Sequence, residues 1–168
     1  MLPRWVSFSI ALLVVLLDRL TKAYIEAHVS VLDTIPVIPG FFNIVHTQNL
    51  GAAFGMFANS GTLWRGVMLV LVSGAVMLFV LVSLWSPART GFIPSRLLSL
   101  ALSLVLGGAV GNLYDRLFRG SVTDFLQFFF GSYEFPSFNV ADSAITVGAI
   151  LLALDMWFGR HRQRVAEA

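Results

Sequence analysis

The alternation of apolar and polar positions divides the chain into four long apolar runs. They cover residues of about 5–26, 66–85, 97–113 and 142–158. A run of about 20 apolar residues crosses a bilayer as a helix, so the pattern predicts four membrane-spanning helices. Small residues of a signal-peptide cleavage site should follow the first run if it were removed. The charged stretch 18–22 follows the apolar residues 5–17 instead, so we expect the first helix to be retained.

Two longer connecting segments interrupt these runs. Residues of about 28–64 lie between the first and second runs, and about 114–141 between the third and fourth. In "PGFFNIVHTQN" the side chains at 42, 44 and 46 alternate with those at 41, 43 and 45, and such alternation predicts a strand. "SVTDFLQFFF" is a second strand candidate. We therefore expect both segments to form a small β-structured platform on one side of a single membrane domain, residues 1–168, in an otherwise all-α fold.

Composition narrows the class of protein. Hydrophobic residues make up 57% of the 168 positions and charged residues 12%, whereas soluble domains run near 45–50% and roughly 25%. The net charge of +2 and the lack of a basic block before the tail exclude a nucleic-acid surface. With no cysteine, disulfides, thiolate zinc sites and a cysteine nucleophile are excluded. The three histidines lack metal-ligand spacing, so no metal site is expected.

Basic residues predict the orientation in the membrane. Four spans place both termini on one side, with Arg4, Arg89, Arg96, Arg160, Arg162 and Arg164. The other side has Arg19, Lys22, Arg65, Arg116 and Arg119 together with most of the acidic residues. Since Arg19 and Lys22 lie within the first helix and Arg116 adjoins Asp115, free loop charge favours the side of the termini as cytoplasmic.

Asp18 and Lys22 lie four residues apart, the spacing of an ion pair on one helix face. Two interpretations stay open. In the first, the pair is local and makes the end of a helix tolerable near lipid. In the second, it is a scaffold that holds a nearby site, because ionisable groups within a membrane tend to be functional.

The segment "GGAVGNLYDR", residues 107–116, combines small and polar residues. Its G-x-x-x-G spacing predicts close approach of another helix, and Asn112 and Arg116 share one face. Arg116 either reaches lipid headgroups or binds a phosphate or carboxylate next to an Asn112 hydrogen-bond donor. In "NLGAAF", Asn49 and Gly51 predict a turn at which the backbone approaches another group closely.

Asp124 and Asp142 are the candidate catalytic pair. In "FNVADSAI", Asn139 is a good N-cap, which puts Asp142 at the third helical position. Antiparallel neighbouring helices would bring both carboxylates to one membrane boundary, where they would share a proton. One could then take a proton from water while the other protonates a carbonyl oxygen, as in aspartic-type peptide hydrolysis. Neither G-x-S-x-G nor H-E-x-x-H occurs, so serine-type and zinc-type hydrolysis lack support.

Five motifs in this order, "DRLTK", "NLGAAF", "GGAVGNLYDR", "VTDF" and "FNVADSAI", make the chain resemble the bacterial lipoprotein signal peptidase (signal peptidase II) family from residue 18 to about 158. The resemblance implies that Asp124 and Asp142 are catalytic. It also implies that Asn112, Arg116 and Asn139 line the site. The further motif positions that it matches are Asp18, Lys22, Asn49 and Gly51.

The resemblance further implies a four-helix inner-membrane aspartic endopeptidase with its active site near the periplasmic face. It would cleave the signal peptide from prolipoproteins on the amino side of a diacylglyceryl-modified cysteine, without a cofactor, among membrane lipids, and would be inhibited by globomycin. A carboxylate-dependent transporter is the first alternative, although the uncharged second span and the acids gathered at one face argue against it. A membrane scaffold built on Gly107 and Gly111 is the second, and it leaves Asp124 unexplained.

Overall fold

A computed structural model describes residues 1–31, 33–51 and 62–166. The described helices are α1 (Arg4–His28), α2 (Thr62–Trp85), α3 (Arg96–Phe118) and α4 (Val140–Ala166). The described strands are β1 (Thr34–Ile38), β2 (Phe42–Asn49), β3 (Val122–Phe130) and β4 (Tyr133–Phe138). A short 3-10 helix, Pro87–Thr90, joins α2 to α3. The fold is thus mostly helical with a small antiparallel sheet, as the sequence predicts.

Three helical stretches in the described residues are long and apolar enough to cross a membrane: Gly66–Trp85, Arg96–Phe118 and Val140–Gly159. They correspond to three of the four predicted spans. α1 has 25 residues but carries several charged residues in its C-terminal half, so its span stays a prediction. α3 also continues to Phe118 instead of ending near 113, because the polar side chains of its last turns point into the protein rather than toward lipid.

α3 is the central helix of the bundle and packs against α1, α2 and α4. In the most apolar 18-residue stretch of each helix, 61% of the residues are buried in α3, compared with 17% in α2 and 11% in α4. α2 and α4 therefore present most of their surface to lipid. Leu98, Leu102 and Leu106 of α3 form a buried cluster with Val80 and Leu84 of α2, which fixes α2 to the bundle.

Glycines allow the backbones of α1 and α4 to approach α3. A Cβ atom on Gly108 would lie 2.4 Å from the Ala141 carbonyl oxygen, and one on Gly111 would lie 2.7 Å from Asp18 Oδ2. Since real Cβ contacts are not this short, neither position has room for a side chain. The predicted close approach is confirmed, and it serves two partner helices at once.

The sheet has the strand order β1-β2-β3-β4, and every neighbouring pair is antiparallel. β2 and β3 match the two strand candidates read from the sequence. The outer strands β1 and β4 were not predicted, because each contains a proline, Pro36 and Pro136, and proline is tolerated mainly in edge strands. Phe125 of β3 packs on Ile25 and Val29 at the end of α1, so the sheet is anchored directly above the helix bundle.

Candidate active site

Asn139 caps the N-terminus of α4. Its Oδ1 accepts the backbone N–H of Asp142 at 2.9 Å, and its own backbone N–H donates to Asp142 Oδ2 at 3.2 Å. This reciprocal pair is a capping box in which aspartate takes the place of glutamate. The predicted cap is therefore confirmed, and Asp142 is held at the first turn of α4, half-buried, by the residue three positions before it.

The same asparagine reaches Asp124 at the start of β3. Asn139 Nδ2 lies 2.6 Å from Asp124 Oδ1, and Asn49 Nδ2 lies 2.9 Å from Asp124 Oδ2. Asp124 is buried, with only 2% of the residue exposed. Asn139 thus contacts both carboxylate residues, and the structure brings the two predicted catalytic positions together around one buried amide.

The pKa of the Asp124 carboxyl group is higher than that of an ordinary aspartate. Its pKa is raised from an ordinary 3.8 to about 6, first because the carboxyl is buried and second because Asp142 is negatively charged, while the hydrogen bonds from Asn49 and Asn139 partly oppose the rise. Because desolvation and a neighbouring carboxylate both disfavour the charged form, the Asp124 carboxyl keeps a proton to a higher pH than an ordinary aspartate does.

Asn112 of α3 connects Asp142 to a second polar group. Its Nδ2 donates to Asp142 Oδ1 at 2.7 Å, and its Oδ1 accepts a hydrogen bond from Lys22 Nζ at 3.0 Å. Asn139 Nδ2 also lies 3.4 Å from the same oxygen. Asn112 is therefore a predicted site residue that the structure does bring to the pair.

Arg116 lies one helical turn beyond Asn112 and is half-buried, with Nη1 donating to the Asn112 carbonyl oxygen at 3.3 Å. The charges of Asp142 and Asp124 both act on its guanidinium. Its buried Nε has no hydrogen-bond partner among the residues that the structure describes. Arg116 is therefore a half-buried cation beside the two carboxylates, which the headgroup interpretation does not explain.

Asp18 and Lys22 form the i,i+4 ion pair that their spacing predicts, and the pair lies inside the helix bundle. Both are fully buried, with Lys22 Nζ 2.8 Å from Asp18 Oδ2 and 2.7 Å from Asp115 Oδ2. Asp18 Oδ1 accepts the backbone N–H of Ala141 at 3.0 Å. The pair thus connects α1 to α3 and to the start of α4, which agrees with the second, scaffold interpretation.

Sequence reasoning missed Asp115 and Arg19 as members of this cluster. Their side chains form an ion pair, and Arg19 also lies over the Tyr114 ring, 4.7 Å from its centroid. The sequence places Asp115 next to Arg116, which led to the expectation that these two neutralise each other. The available signal was an acid three residues after Asn112 within an apolar helix, since such a group needs a partner from another helix.

Asn49 and Gly51 form the turn that the sequence predicts. The Gly51 N–H donates to Asn49 Oδ1 at 2.9 Å, which directs the Asn49 amide nitrogen toward Asp124. Residues 52–54 of the same motif lie outside the described residues. Within the part of the chain that is described, no three side chains of His, Asp or Glu come together as metal ligands.

Comparison with known proteins agrees with this geometry. A family model described as signal peptidase (SPase) II matches residues 10–158. A lipoprotein signal peptidase of Solibacter usitatus (strain Ellin6076) is 47% identical over 91% of this chain and 91% of that protein. One of Syntrophus aciditrophicus (strain SB) is 41% identical over 86% and 87% of the two chains.

A solved structure described as a bacterial membrane enzyme is similar in fold. It superposes with a TM-score of 0.79 at 31% sequence identity, covering 90% of this chain and 87% of the other. A second, described in the same way, gives a TM-score of 0.77 at 32% identity. With most of its length matched by the family model and by these relatives, the chain belongs to the signal peptidase II family.

Proposed function

We propose that this protein is a membrane aspartic endopeptidase that removes the signal peptide of prolipoproteins on the amino side of a diacylglyceryl-modified cysteine. Membership of the family supports cleavage of prolipoprotein signal peptides. The observation that carries the aspartic mechanism is the contact of Asn139 with Asp124 and with Asp142. Two carboxylates held around one buried amide are suited to sharing a proton.

The two carboxylates have different roles in the proposed reaction. Asp124, with its raised pKa of about 6, carries the shared proton and gives it to the carbonyl oxygen of the scissile bond. Asp142 accepts hydrogen bonds from Asn112 and from the Asn139 backbone, and as a carboxylate it takes a proton from the attacking water. The hydroxide adds to the carbonyl carbon. Asp142 then gives its proton to the leaving nitrogen as the C–N bond breaks, and one hydroxyl of the intermediate returns a proton to Asp124 as the new carboxyl group forms.

Arg116 is proposed to bind the substrate beside the carboxylates. Its half-buried guanidinium is a charged donor group, and such groups stabilise the oxygen on which negative charge develops. Since the carboxylates already act on its guanidinium, the substrate carbonyl would enter a site whose charges are arranged before binding. Asn49 and Gly51 hold Asp124 from the opposite side through the turn at the end of β2.

The position of the pair suits a substrate that is itself in the membrane. The apolar part of α4, Val140–Gly159, has 20 residues, about 30 Å of helix, which matches the hydrocarbon thickness. Asp142 is then at one boundary, where water and peptide both have access. We further propose α1 as the fourth span, because the fully buried Asp18 and Lys22 face α3 and not lipid.

The far end of the bundle supports the proposed orientation. Trp5, Trp85 and Trp157 are 73%, 60% and 75% exposed there, and Arg4 lies over the Trp85 ring, 4.2 Å from its centroid. Exposed tryptophans typically lie at a membrane interface, and arginines favour the cytoplasmic side. We propose cytoplasmic termini in the bacterial inner membrane, a site near the periplasmic face, one domain over residues 1–168, and inhibition by globomycin.

The test is cleavage of a lipid-modified prolipoprotein by purified enzyme, followed as a gel shift. Asp124→Asn and Asp142→Asn should each abolish cleavage while the protein still unfolds cooperatively in detergent. Asp33→Asn, which changes an exposed acid away from the site, is the matched control and should cleave at the normal rate. Full activity of the Asp124 variant or of the Asp142 variant would contradict the aspartic mechanism.

A further inference from the structure

We propose that Lys22 is a positioning residue: it orients the side-chain amide of Asn112 so that the amide NH2 group donates to Asp142. The proposal rests on the function above, in which Asp142 is the base. Lys22 is fully buried and its role would be exerted only through Asn112. The supporting observations are the contacts of its ammonium group with Asp18, Asp115 and Asn112.

The orientation of a side-chain amide depends on what lies at each end. Asn112 has Lys22 Nζ at 3.0 Å from its Oδ1, and Asp142 Oδ1 at 2.7 Å from its Nδ2. An amide oxygen only accepts and an amide nitrogen only donates. Rotating the amide by half a turn would place its NH2 against an ammonium group and its oxygen against a carboxylate, so the lysine selects the orientation that serves Asp142.

The ammonium group of Lys22 is fixed by contacts with three side chains. Its ammonium group donates a hydrogen bond to Asp18 Oδ2 at 2.8 Å, forms an ion pair with Asp115 Oδ2 at 2.7 Å, and donates a hydrogen bond to Asn112 Oδ1 at 3.0 Å. Two carboxylates would be enough to neutralise the lysine and the neighbouring Arg19. The third contact is not needed for charge balance, and it is the one that reaches the site.

The same cluster also fixes the backbone beside Asp142. Asp18 Oδ1 accepts the N–H of Ala141 at 3.0 Å, and Ala141 directly precedes Asp142. The side chain of Asp142 is therefore oriented through Lys22 and Asn112, and its backbone through Asp18. A misplacement of about 1 Å from a change outside the reacting groups can cost about 100-fold in rate, so both connections matter for the base.

The test uses a double variant that keeps the buried charges balanced. Removing Lys22 alone would leave Asp18 buried without a cation, which is strongly destabilising. Asp18→Asn with Lys22→Met removes one charge of each sign, leaves Asp115 paired with Arg19, and retains an oxygen that can accept from Ala141. Asp18→Asn with Lys22→Leu is the second balanced variant, to be used if the first does not unfold cooperatively.

The measurement is kcat and KM for prolipoprotein cleavage in the double variant, in Asn112→Ala and in the variant that combines them. We expect kcat to fall about 100-fold in the double variant with KM changed by less than about threefold, because an interaction made in the transition state is lost. Adding Asn112→Ala should lower kcat no further, since the lysine acts through that amide. A purely structural role would instead give losses that multiply.

Two results would overturn the proposal. One is a folded double variant with normal kcat, and the other is a combined variant whose loss equals the product of the separate losses. Failure of the proposed function is distinguishable from these, because it would appear as cleavage by Asp124→Asn or Asp142→Asn. In that case the dyad, and not only the positioning of Asp142, would be excluded.

Discussion

Asn139 Nδ2 donates a hydrogen bond to Asp124 Oδ1 at 2.6 Å, while Asn139 Oδ1 accepts the backbone N–H of Asp142 at 2.9 Å. One side chain therefore caps a helix and holds a carboxylate of the neighbouring strand. These two roles use the two ends of the amide, so they can be separated by substitution.

Asn139→Ser should retain the cap and lose the bond to Asp124, whereas Asn139→Ala loses both. We expect the free energy of unfolding to be lower in the alanine variant than in the serine variant by about 1 kcal/mol, the usual value of an N-cap. Cleavage should fall in both, as measured by the gel shift, because Asp124 loses its Asn139 donor. A serine variant with full activity would show that this donor is dispensable.

The pH dependence of kcat/KM should reveal the proton on Asp124. Its pKa is raised to about 6, so its protonated form declines as pH rises through this value. If that form donates the proton, kcat/KM should fall about tenfold between pH 7 and pH 8. Asp33→Asn should give the same profile, and constant kcat/KM up to pH 8 would contradict the assignment of Asp124 as the acid.

The same shift predicts how stability changes with pH. A carboxyl group with a pKa of about 6 when folded and 3.8 ordinarily binds more protons in the folded state between these values, so the folded state loses stability as pH rises from about 4 to 6. The loss is about 3 kcal/mol for a shift of roughly two units. Asp124→Asn should lack it when unfolding is measured in detergent at pH 4 and pH 7. A variant whose stability changes with pH as in the unmodified protein would contradict this.

Gly108→Ala should destabilise the bundle strongly. Its new methyl group would meet the Ala141 carbonyl oxygen at 2.4 Å, so α4 must move away from α3. Overpacking of this kind typically costs about 1–3 kcal/mol, and the shift of α4 should also displace Asp142 and lower cleavage. Gly74→Ala is the matched control, since nothing lies within 4 Å of a methyl group there. Equal unfolding midpoints for the two variants would show that the close approach is not required.

Orientation can be tested with single cysteines, because the chain has none. Tyr133 is 60% exposed on the sheet, and Arg89 is exposed in the connection between α2 and α3. Tyr133→Cys should react with a membrane-impermeant maleimide in intact spheroplasts, and Arg89→Cys only after permeabilisation. The reverse pattern would place the active site in the cytoplasm.

Local features of the fold could be predicted from the sequence. The Asn139 cap, the strands β2 and β3 and the close packing at Gly107 and Gly111 depend on short-range patterns of residue type. β1 and β4 were missed because Pro36 and Pro136 argue against a strand unless its edge position is known.

The contacts that complete the site are long-range, and this is why the sequence does not reveal them. Asp115 pairs with Arg19 across 96 positions, and Asp18 caps Ala141 across 123 positions. Residue spacing shows that Asp18 and Lys22 share a helix face, but not which helix that face meets. The sequence could therefore name Asp18 and Lys22 as candidates, and only the packing of α1 on α3 and α4 shows what they hold.

The hydrogen bond from Ala141 to Asp18 also has a consequence for the order in which the enzyme is made. α1 is synthesised long before α4, so Asp18 has no Ala141 N–H to accept until the last helix has been made. We expect a nascent chain that ends before residue 140 to be without peptidase activity, because it lacks Asp142. The order of synthesis would then delay proteolysis until the final helix has packed against the others.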